Sequence, residues 1–328
     1  MFTKLLVPLD RSELAEQALG RARALARGCQ AAVDIVMVHQ PDEYAMYGDT
    51  LGLEHRQLDT EEQYLSDITT KLASPGSVST THAVLRGDVV PSLTARALEG
   101  GADLIVMTSH GRTGLRRAML GSTTDGMIRH SAIPVMVLRP AEHHTSPLDT
   151  PEPFRTILVP LDGSPEALRV LDAATSLACC DNAQLILVRI VQPVPLVMAD
   201  ASIASVYPLY TPDDLATDGL VKEATRELEA AARTCAEKDC PNARHEVVVA
   251  MSVAPALLEF ARDHRADAIA MSTHGRGASR LLIGSVADEV MRGSGLPMLM
   301  HGPTLIGRGA MSEHDSAVGA APPLASIA

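Results

Sequence analysis

The chain has 328 residues, a formal net charge of -12 and 46% hydrophobic residues, enough for two domains of ordinary size, each able to bury its own core. Trp is absent and aromatics are 2%, which removes the stacking platforms of single-stranded nucleic-acid binders. An acidic balance without a basic block excludes a phosphate-backbone binder. No apolar run reaches the roughly 18 residues of a membrane span, and Met1-Phe2-Thr3-Lys4 leads into a strand rather than a secretory leader, so a cytoplasmic protein with no nucleic-acid or membrane partner is expected.

In chain order, Lys4 to Pro8 is a short aliphatic strand that runs into Asp10. A helix over Ser12 to Ala26 follows, with Leu14, Ala18, Leu19, Ala22 and Leu25 at helical spacing and Ser12 placed as its cap. Val33 to His39 is the second strand. Gln40 to Asp59 is a long connection holding Tyr44 and Tyr47, ahead of another helix. Strands at Ser79 to Leu85, Leu104 to Thr108 and Val135 to Leu138 complete the unit. Such strands, alternating with helices, are expected to form a parallel sheet buried on both faces. The stretch 141–153, with Ser146, Pro147, Pro151 and Pro153, has a linker's composition.

The unit then starts again. Leu5-Leu6-Val7-Pro8-Leu9-Asp10-Arg11-Ser12 returns as Ile157-Leu158-Val159-Pro160-Leu161-Asp162-Gly163-Ser164, 152 positions on. Met107-Thr108-Ser109-His110-Gly111-Arg112, with Gly121-Ser122, returns as Met271-Ser272-Thr273-His274-Gly275-Arg276, with Gly284-Ser285. A period of one whole domain is a tandem duplication and not a solenoid. The second copy predicts strands at Thr156 to Pro160, Gln184 to Ile190, Glu246 to Met251, Ala268 to Ser272 and Pro297 to His301, and a helix opening at Pro165. Its long connection, Gln192 to Asp218, holds Tyr207 and Tyr210; either connection could cover a site or be a tolerated surface insertion. Domains are therefore expected at 1–140 and 154–303, with a linker at 141–153 and a disordered tail at 304–328.

The five cysteines form no CxxC pair and are odd in number, so reduced thiols are expected, with Cys179-Cys180 a buried pair of small residues. Met107, Met119, Met127 and Met136 fall on apolar positions as core fillers. His110, His274 and the His143-His144 pair have no partners at ligand spacing, so no metal site is predicted.

Ligands of an open parallel sheet bind beyond the carboxyl ends of its strands. Asp10 and Asp162 stand there, able to accept from a ribose hydroxyl or a base amine, or simply to cap the following helix. After the fourth strand, Gly111, Gly121 and Ser122 and their counterparts Gly275, Gly284 and Ser285 let backbone approach a ligand closely and offer N–H groups at a helix start to phosphate oxygens. No Gly-Lys-Ser or Gly-Lys-Thr occurs, so this is not a Walker loop. Arg112 and Arg276 either reach phosphates or are solvated.

These residues resemble the universal stress proteins, in tandem-domain form, whose nucleotide-binding members carry Gly-x2-Gly-x9-Gly-Ser/Thr. Thr108-x2-Gly111-x9-Gly121-Ser122 departs at the first glycine; Ser272-x2-Gly275-x8-Gly284-Ser285 departs there and is one residue shorter. The resemblance implies two doubly wound five-stranded α/β domains of the adenine nucleotide α-hydrolase-like, Rossmann-like kind, joined through their last strands as an intramolecular pseudo-dimer that can pair again into a homodimer. It implies ATP, with or without Mg2+, between the first-strand end and the glycine loop. Pro8, Leu9 and Asp10 would meet the adenine and ribose, Val38 the adenine ring through its backbone, and Met107 and Thr108 the pocket wall. Gly111, Gly121, Ser122 and Thr123 would hold phosphates. In the second copy Pro160, Leu161, Asp162, Ile190, Met271, Ser272, Gly275, Gly284, Ser285 and Val286 take these roles.

The function expected is an ATP-binding stress-response sensor or signalling module with an unidentified protein partner. The alternatives are a ligand-free protective interaction module and a slow ATP hydrolase. No metal-binding carboxylate stands out beside the glycine loop, Asp125 and Asp288 lying a turn into the next helix, so no catalytic residue is assigned.

Overall fold

The computed structural model describes residues 1–40, 50–73, 78–109, 120–139, 148–149, 151–194, 214–238, 240, 242–273 and 283–302. In the first half, β1 (Lys4–Pro8) lies between β2 (Ala32–His39) and β4 (Leu104–Thr108); β3 (Thr80–Arg86) flanks β2, and β5 (Val135–Leu138) flanks β4, all in parallel. The second half repeats this with β6 (Thr156–Pro160), β7 (Gln184–Val191), β8 (Ala243–Val249), β9 (Ala268–Ser272) and β10 (Met298–His301). β5 and β10 then pair antiparallel, Leu299 opposite Met136, giving one sheet in the order β3-β2-β1-β4-β5-β10-β9-β6-β7-β8. Each half thus covers the other's last-strand edge, which would otherwise present unpaired backbone groups. This is the joint expected of the last strands.

Successive strand residues face opposite layers. Leu5 and Val7 enter one apolar cluster with Leu104 and Val106, while Leu6 enters the other with Ile105 and Met107. Both faces are covered, as the continuous aliphatic runs require.

The helices depart from expectation in places. The one predicted over 12–26 is two, α1 (Glu13–Glu16) and α2 (Ala18–Cys29). Gln17 N–H donates to Leu14 O at 3.3 Å, a tighter three-residue bond that interrupts the four-residue ladder. The second half breaks likewise between α6 (Pro165–Leu168) and α7 (Val170–Asp181), where Arg169 N–H donates to Glu166 O. The long connections are partly helical: α3 (Thr50–Ala73) begins inside the first and α8 (Asp214–Glu237) inside the second. Tyr44, Tyr47, Tyr207 and Tyr210 lie outside the described residues, as do 141–147 of the linker and the tail from 304. β8 starts at Ala243 rather than Glu246. Its opening Ala243-Arg244-His245 belongs to the outermost strand, whose open side tolerates polar residues, so the apolar pattern begins late.

The cysteine expectation is overturned. Cys29 at the end of α2 and Cys180 in α7 form a disulfide, with Cα atoms 5.4 Å apart. The partners are 151 residues apart in sequence, so spacing could not reveal them. Cys179, Cys235 and Cys240 stand outside this disulfide. The same interface buries Arg21 of α2 against Asp181 of α7 at 2.8 Å, with the guanidinium 3.6 Å from the Phe154 ring centroid. Burial pulls the Arg21 pKa down while Asp181 pushes it back up, as expected of a desolvated pair.

Candidate functional site

Each first strand ends in the same small network. Asp10 Oδ1 accepts from Ser12 N–H at 3.0 Å and from Ser12 Oγ at 2.6 Å, and Ser12 Oγ accepts from Ala15 N–H at 3.1 Å. Asp162, Ser164 and Ala167 repeat it at 2.9, 2.5 and 3.1 Å. One carboxylate oxygen of each Asp therefore orders the helix entrance, which is the capping role open to these residues, while the side chain stays at the C-terminal strand end. The residue between differs: Arg11 has φ 66 and Gly163 φ 80, the left-handed region where glycine is favoured.

The fourth strands, each entered from a helix, α4 (Val89–Glu99) or α9 (Val253–Asp263), end against two more, α5 (Ser122–His130) and α10 (Ser285–Gly293). Gly121 N–H donates to Ser109 O at 2.8 Å and Gly284 N–H to Thr273 O at 2.7 Å. These glycine amides are therefore committed to the strand end and not to a phosphate, as the pattern alone suggested. Gly284 acts by close approach instead: a Cβ there would sit 3.0 Å from Thr273 O. As N-caps they carry no side-chain cap bond, so the first-turn amides of Ser122 and Thr123, and of Ser285 and Val286, start their helices without one. The Ser272 hydroxyl donates to Glu166 O at 2.7 Å and braces α6.

In the second half a cavity of about 920 Å³ opens at these strand ends. Four separate segments meet around it: Pro160, Leu161 and Asp162 after β6, Ile190 on β7, Met271 and Ser272 on β9, and Gly284, Ser285 and Val286 at the start of α10. In the first half Pro8, Leu9, Asp10, Val38, Met107, Thr108, Gly121, Ser122 and Thr123 occupy the matching places on β1, β2, β4 and α5. Gly111, Arg112, Gly275 and Arg276, with His110 and His274, lie outside the described residues.

Three arginines at the second cavity escaped the sequence reading. Arg189 of β7 is ion-paired with Glu227 of α8 beneath Gly163. Arg292 of α10 pairs with Asp288 at 2.9 Å, and Arg129 of α5, from the first half, with Asp125 at 2.8 Å. The repeated Asp-x3-Arg spacing of the last two was the visible signal. Among the described residues no group of His, Cys, Asp and Glu is placed to hold a metal, and no helix is long and apolar enough to cross a membrane.

A family model described as the universal stress protein family matches residues 1–139 and again 153–301. The chain belongs to the universal stress protein family. A universal stress protein of Methanocaldococcus jannaschii is 27% identical over 158 residues, 42% of this chain and 96% of the relative. One from Mycobacterium tuberculosis is 26% identical over 214 residues, 64% of this chain and 65% of the relative. Among solved structures, a universal stress protein from Archaeoglobus fulgidus superposes with a TM-score of 0.66 at 17% identity, covering 91% of this chain and 98% of that one. That likeness shows the fold: two universal stress protein domains in tandem on a large, mostly parallel sheet.

Proposed function

We propose that this universal stress protein binds ATP at the strand ends of each half, in domains 1–140 and 154–303, and acts in the cytoplasm as a stress-response signalling module whose nucleotide state sets its shape and partners. One observation carries this assignment: residues from four distant segments, singled out for nucleotide contact, line a single cavity in the second half. Its volume of about 920 Å³ falls inside the roughly 300–1,000 Å³ of small-molecule sites.

The residues fit the nucleotide by chemistry. Backbone at Ile190, and Val38 in the first half, lies on the second strand with apolar neighbours suited to a purine. Asp162 and Asp10 offer carboxylate oxygens to a ribose. The helix starts at Ser285 and Ser122 offer hydroxyls and first-turn amides, aligned with the helix dipole, to phosphate oxygens. Mg2+ would arrive on the phosphates, since no described group of side chains is placed to hold a metal. Isothermal calorimetry with ATP on ligand-stripped protein tests the proposal: saturable binding approaching two ATP per chain supports it, and no saturable binding overturns it.

A further inference from the structure

Arg129 belongs to the first half, in the last turn of α5, yet it lines the cavity of the second half beside Ser285 and Asp288 in the first turn of α10. Arg129 is raised in pKa first by its hydrogen bonds to Asp125, against its own desolvation, and then by the charges of Asp125 and of Asp288 across the joint. Arg292 is raised first by Asp288 and also by Asp125. Arg129, Asp288 and Arg292 thus line one cavity, with one Asp-x3-Arg pair supplied by each half.

Within α5, Arg129 has an ordinary account: it binds Asp125 through Nε at 2.8 Å and Nη2 at 2.9 Å, and a cation in the last turn suits the helix dipole. Neither fact explains why it borders a cavity belonging to the other domain. Building on the ATP-binding reading, we infer that Arg129 supplies the second site with a phosphate-binding cation from the first half. The need is local, because the glycine loop of the second copy is one residue shorter than that of the first. A polyphosphate offers a guanidinium fork the same bidentate geometry as a carboxylate, with more negative charge. Binding would then draw Arg129 from Asp125 toward the cavity, and occupancy of the second site would be felt in α5, the helix that opens the first.

The test is calorimetry of the full chain with ATP and, separately, with adenosine, on the wild type, Arg129→Gln and Arg129→Lys. Loss of a charged hydrogen-bonding partner predicts that Arg129→Gln weakens ATP at one site by about tenfold, leaves adenosine affinity unchanged, and that Arg129→Lys recovers part of the loss. Unchanged ATP affinity at every site would overturn the inference, as would equal weakening of ATP and adenosine, which marks a merely structural role. A wild type that binds adenosine as tightly as ATP overturns it while leaving a nucleoside site standing. A wild type that binds neither removes the ATP-binding reading itself.

Discussion

On the second strand of the first half, Asp34 is fully buried and held by Arg96 at 2.9 Å and by the Thr81 hydroxyl at 2.7 Å. The matching places in the second half hold Ile186 and Phe260, both in one apolar cluster. Further along the strand, the buried pair His39 and Glu61, 2.8 Å apart, is answered by buried Val191 and Ala224. On the facing side, Arg11 sits 6.0 Å from the Tyr64 ring centroid, and Tyr64 donates to Glu16; the second half has Gly163, Glu227 and Arg189, the last two ion-paired. In all three places the partners change together. Duplicated halves have kept the backbone and exchanged whole interactions, because changing one partner alone strands a buried charge or opens a clash.

The largest break should come from mixing the halves at the first of these places. Ile186→Asp alone puts an unpaired carboxylate where a residue 6% exposed now packs, with an expected loss of about 3–5 kcal/mol in urea unfolding. Adding Phe260→Arg should restore part of it, and a double mutant no better than the single would mean that the two positions are not coupled as their counterparts are.

Next is the link between the halves. The Cys29–Cys180 disulfide closes a segment of 151 residues, and losing it should cost about 2–4 kcal/mol. Reductant, or Cys29→Ser, should lower the unfolding midpoint of the oxidised protein, and reductant should not shift the midpoint of the Cys29→Ser variant further. Equal midpoints for oxidised and reduced wild type would remove the bond from the stability account.

A smaller break concerns the turn. Gly163→Arg copies the first half, but a Cβ there meets the Arg189 guanidinium and Glu227 in a backbone conformation with positive φ. A cost of about 1–2 kcal/mol is expected, relieved when Arg189→Met and Glu227→Tyr are added to reproduce Met37 and Tyr64. Failure of the triple variant to recover would place the strain in the backbone rather than in the side-chain set.

Much of this was legible in the chain. The aliphatic runs of β1, β4, β5, β6 and β9 set their own bounds, because the interior of a strand buried on both sides is an unbroken apolar run. Leu161 and Asp162 marked one wall of the cavity and Gly284 and Ser285 another, since each copy repeated the other's landmarks. What stayed hidden depends on folding two distant segments together. Cys29 meets Cys180 only when α2 packs on α7, and Arg129 borders the second cavity only because β5 pairs with β10. The amides of Gly121 and Gly284 looked available for phosphate because a pattern of glycines does not show which carbonyl, Ser109 or Thr273, lies opposite.

The smallest expected effect tests the joint through pH. His301 ends β10, the strand that meets the first half, and its pKa is lowered from the ordinary histidine value mainly by burial; Arg169 lowers it further, while the Gly302 carbonyl and Asp172 act in the other direction. A histidine that titrates lower in the folded protein than in the unfolded chain leaves stability intact above the unfolded value of about 6.5. As pH falls below that value the unfolded chain takes up the proton first, so stability declines until the folded pKa is passed and then levels off. His301→Asn keeps a donor for the Gly302 carbonyl, 2.9 Å from the imidazole Nδ1, and removes the titration. Its unfolding free energy should therefore fall less than the wild type's between pH 7 and pH 5, and parallel pH profiles would show that burial at the end of β10 does not hold this imidazole neutral.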